Sequence, residues 1–454
     1  MSREKLSSRM GFVLLAAGCA IGLGNIWRFP FITGMYGGAT FILIYLACLV
    51  IFGIPVMTME FSVGRGSEKS AARSFHVLEP KGSKWHTFSY VAMFGNYLLM
   101  FFYTVVSGWM FAYMFKIAKG DFAGLSPDQV GAAFGAFVSD PVQMVGWMII
   151  AVVLGYGVCI GGLVASVEKV AKIMMLGLFA ILGVLVVRSV TLPGAGAGLE
   201  FYLKPNLDGI RQHGLFTVIF AAIGQSFFTL SLGIGSMAVF GSYINREKRL
   251  GGEAIIVTLL DTSAAFLAGL VIIPACFAFG MDQAAGPGLI FITLPNVFNS
   301  MAGGQFWGAL FFLFMIFAAM STVIAVFENT IAFLMELFNL SRVNSTIINF
   351  FVVIIFSLPC ALGFNKLSGF TVMGGVLDLE DFILSNNILP LGALMYVLFC
   401  VSRKGWGWDN FLGEANTGGG FIFPAKLKPY FVWGLPLLLF GFYICGYINM
   451  FLIK

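Results

Sequence analysis

The glycines and polar residues that interrupt the first hydrophobic segment are the part of this chain best suited to chemistry. They lie in the run Gly18-Cys19-Ala20-Ile21-Gly22-Leu23-Gly24-Asn25-Ile26-Trp27-Arg28-Phe29-Pro30. Glycine and proline both weaken a helix, and a break in mid-membrane frees backbone carbonyls and amides. Such groups are tolerated only where protein or a water-filled site satisfies them. The run therefore predicts a site for a small polar ligand that is built partly from unwound backbone.

The sixth hydrophobic segment combines glycines with hydroxyl side chains in the same way. It reads Gly224-Gln225-Ser226-Phe227-Phe228-Thr229-Leu230-Ser231-Leu232-Gly233-Ile234-Gly235-Ser236. Glycines in membrane helices also serve as packing residues, and for one segment alone that explanation is as good. Two interrupted segments at matching positions of two halves, however, indicate a binding site near the middle of the membrane. Helix N-termini there would attract an anion, and unwound carbonyls would bind a cation.

Composition places the chain among polytopic membrane proteins, because 59% of its 454 residues are hydrophobic and only 10% are charged. Apolar runs of roughly 20 residues or more predict eleven transmembrane helices, which we number as segments 1 to 11 in chain order. They fall at about 10–32, 39–64, 88–115, 143–161, 167–190, 214–241, 253–281, 305–336, 346–363, 378–401 and 429–452. The expected fold is an all-α bundle, a 5+5 inverted repeat with breaks in helices 1 and 6. Residues 1–190 would form the first repeat, 191–402 the second, and 403–454 a linker and the eleventh helix.

Lysine and arginine predict the orientation of this bundle. With a cytoplasmic N-terminus, 18 of the 26 lysines and arginines fall on the inner side, 7 fall outside and Arg28 lies within segment 1. This bias predicts a cytoplasmic N-terminus and an extracytoplasmic C-terminus. It also explains the net charge of +5 without any role for nucleic acid. No small-residue cleavage site follows the first segment, so a cleaved signal peptide is not expected.

Cysteines and histidines offer no metal-binding pattern in the sequence. All seven cysteines fall within apolar segments, where they are expected to be small packing residues. His76, His86 and His213 are separated along the chain, lie in loops and lack metal-ligand spacing. No nucleophile is paired with a base, so the sequence also argues against an enzyme.

Several short motifs spread along nearly the whole chain carry a family resemblance. They are Ser8-Arg9-Met10-Gly11-Phe12, Gly22-Leu23-Gly24-Asn25-Ile26-Trp27-Arg28-Phe29-Pro30, Gly53-Ile54-Pro55 with Glu60, the run from Gly224 to Gly235, Leu289-Ile290-Phe291, and Asp378-Leu379-Glu380-Asp381-Phe382. At these residues the sequence resembles the neurotransmitter:sodium symporter family, in particular its bacterial amino-acid transporters. Eleven helices depart from the twelve that are more usual in that family, which would remove a peripheral helix and leave the site intact.

The resemblance implies two sodium sites beside one substrate site. The first would use the carbonyl of Ala20, the side chains of Asn25 and Thr229, a group from segment 7 and the substrate carboxylate. The second would combine backbone carbonyls with two hydroxyls, from Gly18, Ile21, Ala318, Ser321 and Thr322. Sodium, like other hard cations, prefers an all-oxygen cage. A carboxylate shared by substrate and ion would make each raise the affinity of the other.

The residue in segment 7 is informative about chloride. The family commonly has asparagine there, and alignment on Gly269 puts Asp261 in its place. Relatives that need chloride lack an acid nearby, so the resemblance implies that Asp261 supplies the negative charge and that transport is independent of chloride. Protonation of Asp261 after sodium release would add proton antiport, which is a further hypothesis. Alternatively, Asp261 is a helix-end residue near the cytoplasmic surface, since Glu253 precedes it by eight positions.

For the substrate, the resemblance implies a pocket between the two breaks. The amides of Leu23 and Gly24 and the hydroxyl of Tyr103 would hold a carboxylate. Carbonyls that would accept from an amine belong to Ala20, Phe228, Thr229 and Ser231. Amine-transporting relatives have an aspartate at the position of Gly22, which favours a carboxylate-bearing substrate here. The side-chain pocket would be formed by Leu99, Phe228, Ile234, Thr322 and Val326. Because it is aliphatic and uncharged, it predicts a neutral, hydrophobic L-amino acid.

Gates would close the two ends of the pathway. By resemblance, Arg28 and Asp381 form the outer gate, with Phe228 and Tyr103 beneath it. Arg3, Glu336 and Tyr243 form the inner gate, although the family's tryptophan three residues after that arginine is Leu6 here. A charge pair at a membrane face is also consistent with an ordinary surface contact of little energy.

Two further acids lie within apolar segments and need partners. Glu60 in segment 2 is expected to accept hydrogen bonds from amides freed by the break in segment 6. Glu328 lies deep in segment 8, and the sequence suggests no partner for it.

Together these inferences predict a sodium-coupled symporter of neutral, hydrophobic L-amino acids that works by alternating access in a bacterial cell membrane. Its partners would be the substrate, two co-transported sodium ions and the lipid bilayer, with no chloride and no nucleic acid. A proton-coupled amino-acid permease is one alternative, against which the pair Ser321 and Thr322 argues. A transport-inactive amino-acid sensor is another.

Overall fold

The computed structural model describes residues 4–282 and 288–451. Within these residues every regular element is helical, apart from an isolated bridge between Lys248 and Gly419. Nine helices are long and apolar enough to cross a membrane, and a tenth span results when the bent pair in segment 1 is counted as one. The predicted all-helical, multi-spanning fold is confirmed. The count of eleven is not, because segment 6 consists of two helices that are each too short to cross.

The helices of the bundle have the following bounds in the numbering of the eleven segments. Segment 1 comprises Arg9–Ala20 and Gly24–Met35, segment 6 comprises Leu215–Thr229 and Ser236–Tyr243, and the others are Ala39–Ser67, Trp85–Lys119, Pro141–Cys159, Leu163–Val190, Leu250–Ala278, Gly304–Phe338, Arg342–Gly363, Val376–Val401 and Tyr430–Ile448.

Segment 1 breaks where the sequence run of glycines predicts. Its first helix ends at Ala20, and Ile21 is extended, with φ of −70° and ψ of 98°. The second helix resumes with a π-helical turn at Gly24–Arg28 and is bent by 57° from the first. Pro30 is the second residue of the α-helix that begins at Phe29, so its missing amide hydrogen coincides with the change from the π-helical turn to that helix. The break is therefore encoded locally.

Segment 6 breaks through left-handed backbone. Its first helix ends at Thr229, and Ser231, Gly233 and Gly235 then adopt φ of 50°, 97° and 74°. Glycine is needed at the second of these positions for space as well as conformation, because a Cβ there would lie 2.1 Å from the carbonyl oxygen of Leu389. Between its two helices, the backbone of segment 6 therefore passes very close to segment 10.

Burial distinguishes the centre of the bundle from its rim. In segments 3 and 8, 83% of the most apolar stretch is buried, against 22% in segment 11. The exposed apolar side chains include Val142, Phe351 and Trp433, as expected for surfaces that contact lipid. Segments 3 and 8 therefore form the rigid core against which both breaks pack. The cysteines are unpaired, and all but Cys445 are buried.

Candidate functional site

A cavity lies between the two breaks. It measures about 380 Å³ when its opening is included, but the centre of a water molecule could occupy only about 20 Å³ of it. Ten of the twelve predicted substrate residues line it, namely Ala20, Gly22, Leu23, Gly24, Leu99, Tyr103, Phe228, Ser231, Ile234 and Thr322. Thr229 and Val326 are buried but are not part of this lining. The sequence prediction missed Cys19, Leu384 and Leu389, which complete the wall. All the lining residues are uncharged.

The two glycines of the first break let other side chains approach its backbone. Tyr103 Oη accepts a hydrogen bond from the Leu23 amide at 3.0 Å. A Cβ on Gly22 would lie 2.4 Å from Tyr103 Oη and 2.8 Å from Thr322 Oγ1. A Cβ on Gly24 would lie 2.8 Å from the Phe228 ring. The bond between Leu23 and Tyr103 therefore lies in the cavity wall at the N-terminal end of the second helix of segment 1, the end that favours anions.

Asp261, Asn25 and Thr229 meet beside this cavity in a group that we call the carboxylate cluster. Asn25 Nδ2 donates to Asp261 Oδ1 at 2.8 Å and to the Asp261 carbonyl at 3.1 Å. Thr229 Oγ1 donates to Asp261 Oδ2 at 3.0 Å. The Gly22 amide in turn donates to Asn25 Oδ1 at 3.0 Å. Asp261 is 0% exposed and contacts segments 1 and 6 from within its helix, so the surface helix-end interpretation is wrong.

A second group, which we call the hydroxyl cluster, joins segments 1 and 8. Thr322 Oγ1 lies 3.3 Å from the carbonyl oxygens of Gly18 and Cys19, 3.4 Å from that of Ile21 and 3.4 Å from that of Ala318. Ser321 Oγ lies 3.5 Å from the Ile21 carbonyl and 2.9 Å from that of Ala318. All five predicted residues therefore meet, with Cys19 as an additional member. Hydroxyls in helices often bond the preceding turn, but the contacts to segment 1 are not of that local kind.

The spacing of these oxygens fits a hard cation. Oxygens that surround an ion octahedrally at 2.3–2.6 Å, the range for calcium, lie about 3.3–3.7 Å apart along the edges of the octahedron. Sodium has nearly the radius of calcium. The four contacts between Thr322 Oγ1 and the carbonyls measure 3.3–3.4 Å. They are long for hydrogen bonds but match such an edge.

Arg28 and Asp381 line a shared cavity instead of forming an ion pair. The cavity measures about 780 Å³ with its opening and also contacts Phe228 and Tyr103. The Arg28 guanidinium lies 4.5 Å from the centre of the Phe228 ring. Asp381 Oδ1 accepts from Ser385 Oγ at 2.6 Å. The resemblance implies that these two residues close either directly or through water. Among the described contacts none joins Arg28 to Asp381 within 4 Å, so the direct form of that closure is not made in this conformation.

The predicted inner gate is only partly visible, because Arg3 lies outside the described residues. Glu336 accepts from the Ser70 amide at 3.0 Å and from the Ser70 hydroxyl at 2.8 Å. Tyr243 Oη donates to Glu328 at 2.9 Å. Glu328 also forms an ion pair with the guanidinium of Arg342. Glu328, for which the sequence suggests no partner, is therefore paired with Arg342 at the start of segment 9.

Glu60 stabilises the break in segment 6. Its side chain is 0% exposed, and its Oε1 accepts from the Gly233 amide at 2.5 Å. This is the partner predicted for it, and a carboxylate that accepts from a backbone amide forms one of the stronger hydrogen bonds in proteins.

The prediction that the three histidines lie apart from one another is wrong for His76 and His86. His76 and His86 are brought together by the loop between segments 2 and 3, with Glu79 between them. The fold overcomes their separation of ten residues because a short helix folds back beside the start of segment 3. His213 lies apart from this pair, at the end of the helix Asp208–His213 and not in a loop, and its ring packs edge-on against Tyr36.

Comparisons with known proteins agree with this architecture. The model of the Sodium:neurotransmitter symporter family matches residues 3–124 and 138–450. The uncharacterized sodium-dependent transporter YhdH of Bacillus subtilis (strain 168) is 33% identical over 403 residues, 88% of each chain. The rat sodium- and chloride-dependent taurine transporter is 25% identical over 460 residues, which cover 90% of this chain and 72% of that protein.

A solved structure gives the same result at the level of the fold. The crystal structure of MhsT in complex with L-phenylalanine superimposes with a TM-score of 0.87 at 34% identity, and covers 97% of this chain and 99% of MhsT. Members of the matched family are sodium-coupled transporters and not enzymes. The chain therefore belongs to the sodium:neurotransmitter symporter family and is a sodium-dependent, multi-pass membrane transporter.

Proposed function

We propose that the protein is a symporter that uses sodium to carry neutral, hydrophobic L-amino acids across a bacterial cell membrane by alternating access. The observation that carries the proposal is the uncharged cavity between the two broken segments, which adjoins both oxygen clusters. The similarity to MhsT, whose crystal structure holds L-phenylalanine, supports the same class of substrate.

One end of the cavity suits the backbone of an α-amino acid. The amides of Leu23 and Gly24, with Tyr103 Oη, would bind the carboxylate, which takes the place of the present bond between Leu23 and Tyr103. Carbonyls that would accept from the ammonium group belong to Ala20, Phe228, Thr229 and Ser231. A monoamine lacks the carboxylate that these donors would bind, so the bond between Leu23 and Tyr103 would remain and the ligand would gain no hydrogen bond at this end of the cavity.

The other end of the cavity selects an apolar side chain. Leu99, Ile234 and the ring of Phe228 line it, together with Leu384 and Leu389 from segment 10. A charged side chain would find no partner of opposite charge there and would lose its hydration. The size of the present cavity implies that side chains such as Phe228 move when a large substrate enters.

Two sodium ions would accompany each substrate molecule. One would bind at the carboxylate cluster, where Asn25, Thr229 and the Ala20 carbonyl lie close to the expected position of the substrate carboxylate. The other would bind at the hydroxyl cluster of Gly18, Ile21, Ala318, Ser321 and Thr322. The shared substrate carboxylate would couple the first ion directly to the substrate. The second ion would act by holding segments 1 and 8 together.

Chloride would not be needed. Asp261 places a fixed carboxylate within hydrogen-bonding distance of two proposed sodium ligands, Asn25 and Thr229. That charge balances the ion without an exogenous anion. The taurine transporter, by contrast, is described as both sodium- and chloride-dependent.

Alternating access would close the cavity from each side in turn. We expect Arg28 and Asp381 to approach across their shared cavity when substrate binds, with Phe228 and Tyr103 beneath them. On the opposite, cytoplasmic side, Arg3, Glu336 and Tyr243 would form the inner gate. The N-terminus would be cytoplasmic and the C-terminus extracytoplasmic, as the lysine and arginine bias predicts.

The test is uptake of labelled L-phenylalanine, L-leucine and L-glutamate into proteoliposomes under an inward sodium gradient. Potassium replaces sodium in one control and gluconate replaces chloride in another. Phenethylamine, which is L-phenylalanine without its carboxylate, serves as a matched competitor. We expect sodium-driven, chloride-independent uptake of the two neutral amino acids, unaffected by phenethylamine. Equal uptake in potassium under a proton gradient would favour a proton-coupled permease, and binding without accumulation would favour a sensor.

A further inference from the structure

The loop between segments 2 and 3 brings together three side chains that have the chemistry of metal ligands. His76 lies on the helix Ser74–Leu78, Glu79 follows that helix directly, and His86 lies in the turn Trp85–Thr87. One ligand atom from each of these residues lies within 4.8 Å of the others. Of the chain's three histidines, two are therefore in this one place.

One of the two distances between the rings and Glu79 is already that of ligands around one ion. His76 Nδ1 lies 3.3 Å from Glu79 Oε1. Two ligands bonded to a tetrahedral ion at about 2.0 Å are separated by about 3.3 Å. His86 Nδ1 lies 2.5 Å from the same oxygen, a hydrogen bond that an ion would replace. The two rings are nearly perpendicular, at 88° with centres 5.4 Å apart, so they approach the carboxylate from different directions.

Glu79 is held in place by groups other than the histidine rings. Its side chain is 7% exposed, and its Oε2 accepts from Ser83 Oγ at 2.7 Å and from the His86 amide at 3.2 Å. These two hydrogen bonds orient the carboxyl group, as the neighbours of ligating carboxylates commonly do.

We propose that His76, Glu79 and His86 bind a divalent transition-metal ion, with Zn²⁺ as the best match. Two imidazoles and one carboxylate are a ligand set that zinc uses, and water would complete a tetrahedron. Nickel, cobalt and copper accept the same ligands, whereas magnesium and calcium prefer oxygen alone. This site is distinct from the sodium clusters, and the proposal does not rest on the proposed amino-acid substrate.

A metal here would connect three parts of the bundle. Phe75, next to His76, packs against Phe88 at the start of segment 3 and against Phe399 at the end of segment 10. Trp85 Nε1, next to His86, donates to the Lys404 carbonyl at 2.7 Å. An ion would therefore fix the connection from segment 2 to segment 3, the helix that carries Tyr103. We expect bound metal to raise the thermal stability of the protein.

The experiment is a titration of the full-length, tag-free protein in detergent with Co²⁺ followed by Zn²⁺, monitored by the visible absorption of cobalt. We expect one ion per protein, displaced by Zn²⁺, without the strong band of a thiolate ligand. H76A and E79Q should each weaken binding at least about tenfold, and H213A should leave it unchanged. His76 is 69% exposed, so its variant is expected to fold.

Three outcomes would overturn the proposal. They are the absence of stoichiometric binding, binding that H76A and E79Q leave at the wild-type level, and a thiolate band that assigns the ion to a cysteine. Unchanged melting temperatures of the variants without metal will show that any loss of affinity is local.

Discussion

The carboxylate cluster and the hydroxyl cluster both depend on the break in segment 1, yet they differ in charge. The carboxylate cluster contains an ionisable acid, Asp261, which is hydrogen-bonded to Asn25 and Thr229. The hydroxyl cluster contains only neutral oxygens, from the side chains of Ser321 and Thr322 and from backbone carbonyls. On the proposed function, a cation in the first would be balanced by the carboxylate of Asp261, whereas a cation in the second would interact with dipoles alone.

This difference implies two kinds of sensitivity. At a neutral cage each oxygen carries a comparable share of the binding, so the loss of one hydroxyl should be felt directly. At the charged cluster the carboxylate dominates, and its loss should be remedied only by another anion. A variant that changes both clusters, and variants that change one cluster at a time, can separate these two kinds of sensitivity.

Gly22 is where the two clusters meet, so we expect its replacement to have the largest effect. Its amide donates to Asn25 in the carboxylate cluster, and an added Cβ would lie 2.8 Å from Thr322 Oγ1 in the hydroxyl cluster. G22A should abolish sodium-driven uptake in proteoliposomes. G157A is the matched control, since nothing lies within 4 Å of the added methyl group. Normal uptake by G22A would show that the first break is looser than described.

Replacing Asp261 by asparagine should come next in size. D261N keeps the shape of the side chain but removes the charge, and loss of a buried ionic partner costs about 3 kcal/mol or more. In gluconate, sodium affinity measured by uptake should fall at least about 100-fold. Added chloride should restore most of it by occupying the place of the carboxylate charge. If chloride restores nothing, Asp261 serves a purpose other than charge balance.

Thr322 tests the neutral cluster, and here chloride should make no difference. T322V removes one hydroxyl from a cation, a loss of about 1.5–3 kcal/mol. The sodium concentration for half-maximal uptake should rise about 10- to 150-fold. T330V is the control, because Thr330 is buried in the same helix but contacts neither cluster: its hydroxyl bonds the Phe327 carbonyl of its own turn and lies 3.4 Å from the Tyr156 hydroxyl. A response to chloride in T322V would remove the distinction between the clusters.

Tyr103 belongs to neither cluster and should give the smallest change. Y103F removes the hydroxyl that meets the Leu23 amide, where the substrate carboxylate is expected to bind. Affinity for L-phenylalanine, measured by equilibrium binding, should fall about tenfold. Sodium binding in the absence of substrate should stay as in the wild type. A loss of substrate-free sodium binding would place the hydroxyl in an ion site.

Much of the site could be predicted from the sequence because its residues are costly within a membrane. Asn25, Asp261 and the pair Ser321 and Thr322 interrupt apolar segments, where a polar side chain needs a partner. The breaks were predictable for a similar reason, since glycines and a proline weaken a helix locally. Residue type marked the two breaks, whereas the cation roles of Asp261, Ser321 and Thr322 came from the family resemblance.

The apolar half of the pocket could not be predicted in the same way. Leu384 and Leu389 line the cavity from segment 10, but leucines in an apolar segment do not show which face meets a ligand. The direction in which these two side chains point follows from the packing of segment 10 against segment 6, where the backbone of Gly233 contacts Leu389. The cavity wall formed by these leucines is a product of packing between distant segments.

Partnerships between distant residues were also missed. Arg342 meets Glu328 because the connection between segments 8 and 9 turns back over the bundle. His76 and His86 meet because the helix Ser74–Leu78 folds back beside the turn Trp85–Thr87, and no regular sequence spacing marks that arrangement. The predicted pair Arg28 and Asp381 shows the reverse case, since the two residues share a cavity without contact. Whether two charged residues across a cavity touch depends on how segments 1 and 10 pack, which residue types do not encode.

The most direct test of the account is equilibrium binding of radioactive sodium to the purified protein in gluconate with saturating L-phenylalanine. The account predicts two sodium ions per protein without chloride, reduced to one in the double variant S321A and T322V. Chloride should leave both values unchanged. Sodium binding that requires chloride in the wild type, or a stoichiometry that the double variant does not alter, would contradict the assignment of one charged and one neutral cation site.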